Sequence, residues 1–178
     1  MDVQSFINAQ PLSRYQWRVV ILCFLIVFLD GLDTAAMGFI APALSQDWGI
    51  DRASLGPVMS AALIGMVFGA LGSGPLADRF GRKVVLVGAV LLFGAFSLAS
   101  AYATNVDQLL VLRFLTGLGL GAGMPNATTL LSEYTPERLK SLLVTSMFCG
   151  FNLGMAGGGF ISAKLIPAYG WHSLLVVG

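Results

Sequence analysis

After the uncharged run VVILCFLIVF, the chain reads FLDGLDTAAMGF over residues 28–39, which places Asp30 and Asp33 three positions apart with Thr34 beside them. Residues three and four apart on a helix share a face, so these three side chains project in about the same direction. Two carboxylates this close and partly desolvated do not ionise independently; they titrate as a coupled unit. A proton-coupled carrier needs such a site, one that takes a proton at one membrane face and releases it at the other. The structural alternative is that the pair only hydrogen-bonds neighbouring helices or balances a buried cation.

That cation is Arg113, which stands in the apolar stretch LRFLTGLGLGAG. A guanidinium stays protonated in proteins, so a buried Arg requires a counter-charge or an anionic ligand. Its planar fork matches a carboxylate bidentately. Two roles are open: a static pair with an acid of the first apolar segment, or alternate pairing with that acid and with a substrate carboxylate. Thr34, Asn126 and Asn152 are the candidate cavity donors around it, and Asn152 serves equally well as an interhelical hydrogen-bonding residue.

The elements that must position these residues follow from composition. Hydrophobic residues make up 56% of the chain and charged residues 11%, against roughly a quarter charged in soluble domains. Charges cluster between apolar runs, the pattern of a polytopic all-α membrane protein. A bilayer core takes about 20 apolar residues per helix. Five stretches qualify, at about 18–43, 55–77, 84–103, 108–131 and 142–166, with the start of a sixth at 171–178 and an N-terminal tail over 1–17. A cleavable signal peptide fits poorly, because apolar character resumes after Asp33 without a small-residue cleavage site.

Lys and Arg counts in the short loops give the orientation. Arg14, Arg18, Arg79, Arg82, Lys83, Arg138 and Lys140 fall on the side of the N-terminus, and only Arg52 and Lys164 on the other. The tail is therefore expected in the cytoplasm. Asp30 falls about twelve residues into the first span, near the midplane, where an ionised Asp costs about 2.5–3.5 kcal/mol on insertion scales. The first span ascends and the fourth descends, which brings Asp33 and Arg113 to comparable depth in the outer half.

Several classes of function are excluded. With a net charge of +1 there is no basic stripe for nucleic acid. Cys23 and Cys149 read as small buried hydrophobes, and the sole histidine, His172, has no partners at metal spacing. No Ser/His/Asp set, P-loop or metal cluster is present, so an enzyme is not expected. Gly65/Gly69, Gly117/Gly121 and Gly150/Gly154 repeat at spacings of four, which lets helix backbones approach closely. The glycine density of spans 4 and 5 also suits helices that bend or slide. Trp17, Trp48, Tyr102, Tyr134, Tyr169 and Trp171 stand at span ends, as an interfacial aromatic belt would.

The turn after the second span, GPLADRFGRK, sets Gly74, Asp78, Arg79, Gly81, Arg82 and Lys83 at the expected cytoplasmic interface. With Glu133 and Arg138 of SEYTPERLKS it forms a candidate ion-paired clasp, Glu133 pairing with Arg79 or Arg82. In motif, span number and sidedness, GPLADRFGRK closely resembles the loop between helices 2 and 3 of the major facilitator superfamily. Arg113 with its following glycines resembles the family's fourth helix, and SEYTPERLKS its loop between helices 4 and 5. DGLDT resembles the D-G-x-D segment of the aromatic acid:proton symporters, importers of benzoate, 4-hydroxybenzoate or protocatechuate. The stretch GFNLGMAGGG has Met155 where drug antiporters carry a proline.

The resemblance implies the N-terminal six-helix half of a twelve-helix carrier in the inner membrane: five full transmembrane helices plus a truncated sixth. It implies proton-coupled uptake of an aromatic carboxylate, with the proton as coupling ion and no other cofactor. The expected partners are a small organic anion, the lipid bilayer and a C-terminal six-helix half. The alternatives are a carrier for another organic anion or a sugar, and a truncated membrane fragment that carries nothing alone.

Overall fold

The computed structural model describes residues 12–177, so the expected tail lies mostly outside the described residues. Six α-helices follow in order: α1 Arg14–Trp48, α2 Gly56–Phe80, α3 Arg82–Ser100, α4 Val106–Tyr134, α5 Glu137–Tyr169 and the short α6 His172–Val177. The first five are long and apolar enough to cross a membrane.

The ends of the helices are set by local chemistry. Ser13 and Gln16 form a reciprocal capping box that starts α1, and Gly49 in the left-handed conformation (φ 63°) stops it. Asn105 accepts from the Gln108 N–H and starts α4. Several helices run past the expected span ends. In lipid and at its edge, continuing the helix keeps backbone groups bonded; Pro42, Pro75, Pro125 and Pro167 also lie inside helices, each leaving one carbonyl of the preceding turn without its backbone donor.

The turn expected at Gly74–Lys83 is a correction. Residues 74–80 finish α2, and Gly81 alone breaks the chain before Arg82 opens α3. Gly81 has φ 88°, a conformation suited to glycine. Gly74, by contrast, is an ordinary helical position with open space around it.

The helices pack chiefly as α2 on α4, α1 on α5 and α3 on α4. Glycines make the first two contacts possible. A Cβ at Gly65 would strike the Phe114 carbonyl, and one at Gly117 or Gly121 the Ala62 or Met66 carbonyl. On the other seam, a Cβ at Gly31 would strike the Phe151 carbonyl and one at Gly154 that of Phe28. These glycines are therefore backbone contacts, whereas a Cβ at Gly123 would meet nothing and one at Gly157–Gly159 only neighbours at ordinary contact distance.

Two apolar cores result. One gathers Met37, Ile40, Leu44, Leu55, Leu109 and Trp171, and the other Cys23, Val27, Leu86, Leu131 and Met147. On α1, Asp30 and Asp33 lie between Val27 of one core and Ala36 of the other, and on α4 Arg113 lies between Leu109 and Ala127. The outer surfaces carry exposed apolar side chains such as Leu71, Leu91 and Phe160, suited to lipid contact. Two sequence expectations change here. Cys149 is exposed on α5, not buried. Trp171 is buried, its indole N–H donating to Asp47 at 3.0 Å and its ring edge-on to Trp48, so it belongs to the core.

Candidate functional site

The polar centre is assembled from α1, α3 and α4. Arg113 Nη1 on α4 donates to Asp33 Oδ2 on α1 at 3.0 Å, and Ser97 Oγ on α3 donates to Asp33 Oδ1 at 2.5 Å. Both oxygens of Asp33 are thus engaged. The ion pair is almost sealed, with the Arg113 and Asp33 side chains 1% and 2% exposed. Breaking such a pair from one side leaves an uncompensated buried charge, at a cost of about 3–5 kcal/mol.

Asp30 has a different environment. It is buried, 3% exposed, and accepts from Thr34 Oγ1 at 3.3 Å. No cation is paired with it among the described residues. The two carboxylates of one helix thus differ: Asp33 is held by an Arg and a Ser, and Asp30 by a threonine one turn along.

Arg113 is incompletely satisfied. Its Nε and Nη2 are buried and have no hydrogen-bond partner among the described residues. A buried charged donor without a partner costs more than the roughly 1–3 kcal/mol of a neutral one. These two nitrogens form one edge of the guanidinium, with parallel N–H bonds spaced for the two oxygens of a carboxylate. Arg113 also lines a cavity of about 110 Å³ with Asp33, Thr34 and Thr116 on its polar side. Met37, Met59 and Met66 contribute to its apolar side. The volume is below the roughly 300 Å³ of ordinary ligand pockets.

The comparisons with known proteins agree with this architecture. A family model described as Major Facilitator Superfamily matches residues 23–178. The chain belongs to the major facilitator superfamily. Its fold is the N-terminal half of that architecture. A solved structure described as the inward open conformation of the xylose transporter XylE from E. coli superimposes with a TM-score of 0.79 at 20% identity, covering 92% of this chain and 45% of that one. At this identity the likeness shows the fold alone.

Among curated relatives, the 4-hydroxybenzoate transporter PcaK of Pseudomonas putida is 95% identical over 178 residues, all of this chain and 40% of the relative. A protein of the same name from Acinetobacter baylyi is 71% identical over all of this chain and 39% of its own length. A gallate transporter of Pseudomonas putida is 57% identical, again over all of this chain and 40% of the relative. The chain therefore spans about two fifths of the length of the curated relatives it matches. Membership of the superfamily, with five apolar helices, makes this an integral membrane protein.

Within this superfamily half, the structure gathers some of the expected site residues and separates others. Asp30, Asp33, Thr34 and Arg113 come together. Asn126 does not join them: it lies about 20 Å further along α4 at 1.5 Å per residue, and its amide donates to the Ala122 carbonyl of its own helix. Asn152 on α5 likewise donates to the Phe148 carbonyl at 3.4 Å. Neither lines the Arg113 cavity.

Of the clasp residues, Arg82 Nε pairs with Glu133 Oε1 at 2.7 Å, tying α3 to α4. The Arg79 guanidinium lies over its neighbour Phe80, 5.4 Å from the ring centre. Asp78 and Lys83 are exposed, and Arg138 sits in the first turn of α5. Sequence reasoning missed Ser97 and Thr116. Their signal was a hydroxyl inside a largely apolar span.

Proposed function

We propose that this chain is the N-terminal half of a proton-coupled importer of aromatic carboxylates, of the 4-hydroxybenzoate type, seated in the inner membrane with its N-terminus in the cytoplasm. The observation that carries the reading is the unfilled Nε/Nη2 edge of Arg113. A substrate carboxylate laid along it satisfies both buried donors. The names of the relatives supply the substrate class.

The roles divide as follows. Arg113 binds the carboxylate, and Thr34 presents a hydroxyl at the cavity wall. Asp30, buried without a cation, is the proton-carrying group, and the proton is the coupling ion. Asp33 holds Arg113 when substrate is absent. Protonation within the acid pair loosens the hold on Arg113, and the arriving carboxylate takes over the guanidinium. Substrate and proton thereby move together, as rocking of two halves about a central site requires. The opposite wall of the cavity comes from a C-terminal half. At the cytoplasmic face the Arg82–Glu133 pair, with Asp78, Arg79, Lys83 and Arg138 nearby, acts as the clasp between states.

The test is uptake of labelled 4-hydroxybenzoate by the complete transporter under an imposed pH gradient. Replacing both acids, Asp30→Asn with Asp33→Asn, is expected to abolish gradient-driven accumulation. Accumulation at the wild-type level in that double variant would overturn the coupling role.

A further inference from the structure

The apolar side of the Arg113 cavity is unusual in composition. Of its ten lining residues three are methionines, although the whole chain has only seven in 178. They arrive from two helices: Met37 from α1, and Met59 and Met66 from α2, where a spacing of seven puts them on one stripe two turns apart. Their exposure differs: Met37 is packed in the core at 4% exposed, while Met59 is 43% exposed.

The backbone fixes where this wall stands relative to the anion-binding edge. A Cβ at Gly121 would strike the Met66 carbonyl oxygen, and one at Gly117 the backbone of Ala62 and Met66. The α2 stripe is thereby held directly against α4, the helix that carries Arg113. Leucine would fill such a wall equally well if only apolar bulk were needed. Methionine adds a polarisable sulfur, and a sulfur against the edge of an aromatic ring favours that ring by roughly two- to tenfold per contact.

We infer that Met37, Met59 and Met66 form the ring-binding face of the site, selecting a planar aromatic carboxylate over a saturated one of the same size. This rests on the transport function proposed above. The carboxylate lies on Arg113 and the ring extends across the methionine stripe, so the acid group and the ring are recognised by different helices.

The experiment measures how well benzoate and cyclohexanecarboxylate compete with 4-hydroxybenzoate uptake in the complete transporter. Met59→Leu and Met66→Leu, singly and together, nearly keep side-chain volume and remove the sulfur. The double variant is expected to lower the benzoate-to-cyclohexanecarboxylate preference by about three- to tenfold. An unchanged preference overturns the inference.

A second measurement needs no variant to function. In wild-type protein labelled at the methionine methyl carbons, benzoate is expected to shift at least two methyl resonances by ring currents, and cyclohexanecarboxylate to leave them in place. Absence of aromatic-specific shifts also overturns the inference. Arg113→Gln separates the two levels. If it abolishes uptake while the methionine variants keep full aromatic preference, the ring-face assignment alone falls. If it transports normally, the proposed function falls and the ring face with it.

Discussion

Arg113 and Asp33 meet at 3.0 Å between α4 and α1, eighty positions apart in the chain, with both side chains almost wholly buried. The pair leaves the Nε/Nη2 edge of the guanidinium without a partner among the described residues. One ion pair thus holds the helices together and leaves two guanidinium donors unfilled.

Ser97 fixes the Asp33 carboxylate through its 2.5 Å hydrogen bond. Ser97→Ala is expected to destabilise the folded protein by about 1.5–3 kcal/mol, the value of a hydrogen bond to a charged group. Thermal unfolding in detergent reads this directly, as a lower midpoint than wild type. An unchanged midpoint would mean that Arg113 alone orients the carboxylate.

The α2–α4 seam depends on glycines with no room for a side chain. Gly117→Val is expected to abolish a monodisperse peak in size-exclusion chromatography, because a Cβ there would strike the Ala62 carbonyl, and overpacking of this kind costs about 1–3 kcal/mol or more. Gly123→Ala, at a position with open space around it, should elute as wild type. Equal behaviour of the two variants would contradict the packing account.

Much of this architecture was legible in the sequence, for physical reasons. The apolar runs gave the spans. The antiparallel course of spans 1 and 4 put Asp33 and Arg113 at one depth, and that is where they meet. What stayed hidden depended on side-chain direction. Asp30 and Asp33 share a helix face in outline, yet Asp33 turns to α3 and α4 and Asp30 to Thr34. Asn126 and Asn152 looked like cavity donors, but an amide in an apolar helix satisfies itself on the carbonyl four residues back. The polar run after Gly74 looked like a loop because charge marks an interface. A helix can carry charge past that interface until a residue such as Gly81 changes the backbone.

The Arg82–Glu133 pair is half-exposed, with side chains 34% and 51% accessible. A pair of this kind contributes about 0–1 kcal/mol to stability, so its effect is expected on transport more than on folding. Arg82→Glu alone should slow uptake, and Arg82→Glu combined with Glu133→Arg should restore much of it. Unfolding midpoints should move little in both variants. A double reversal no better than the single one would remove this pair from the clasp.

The proposed binding of the substrate carboxylate along the Nε/Nη2 edge of Arg113 is read out by comparing 4-hydroxybenzoate with 4-hydroxybenzamide as competitors of uptake, in wild type and in Arg113→Lys. Lysine keeps the charge opposite Asp33 but loses the parallel N–H pair. The account predicts a wild-type preference for the carboxylate that falls by about tenfold or more in Arg113→Lys, as loss of a charge-assisted hydrogen bond of about 1.5–3 kcal/mol implies. An Arg113→Lys transporter that keeps the wild-type preference would reduce Arg113 to a structural partner of Asp33 and contradict the account.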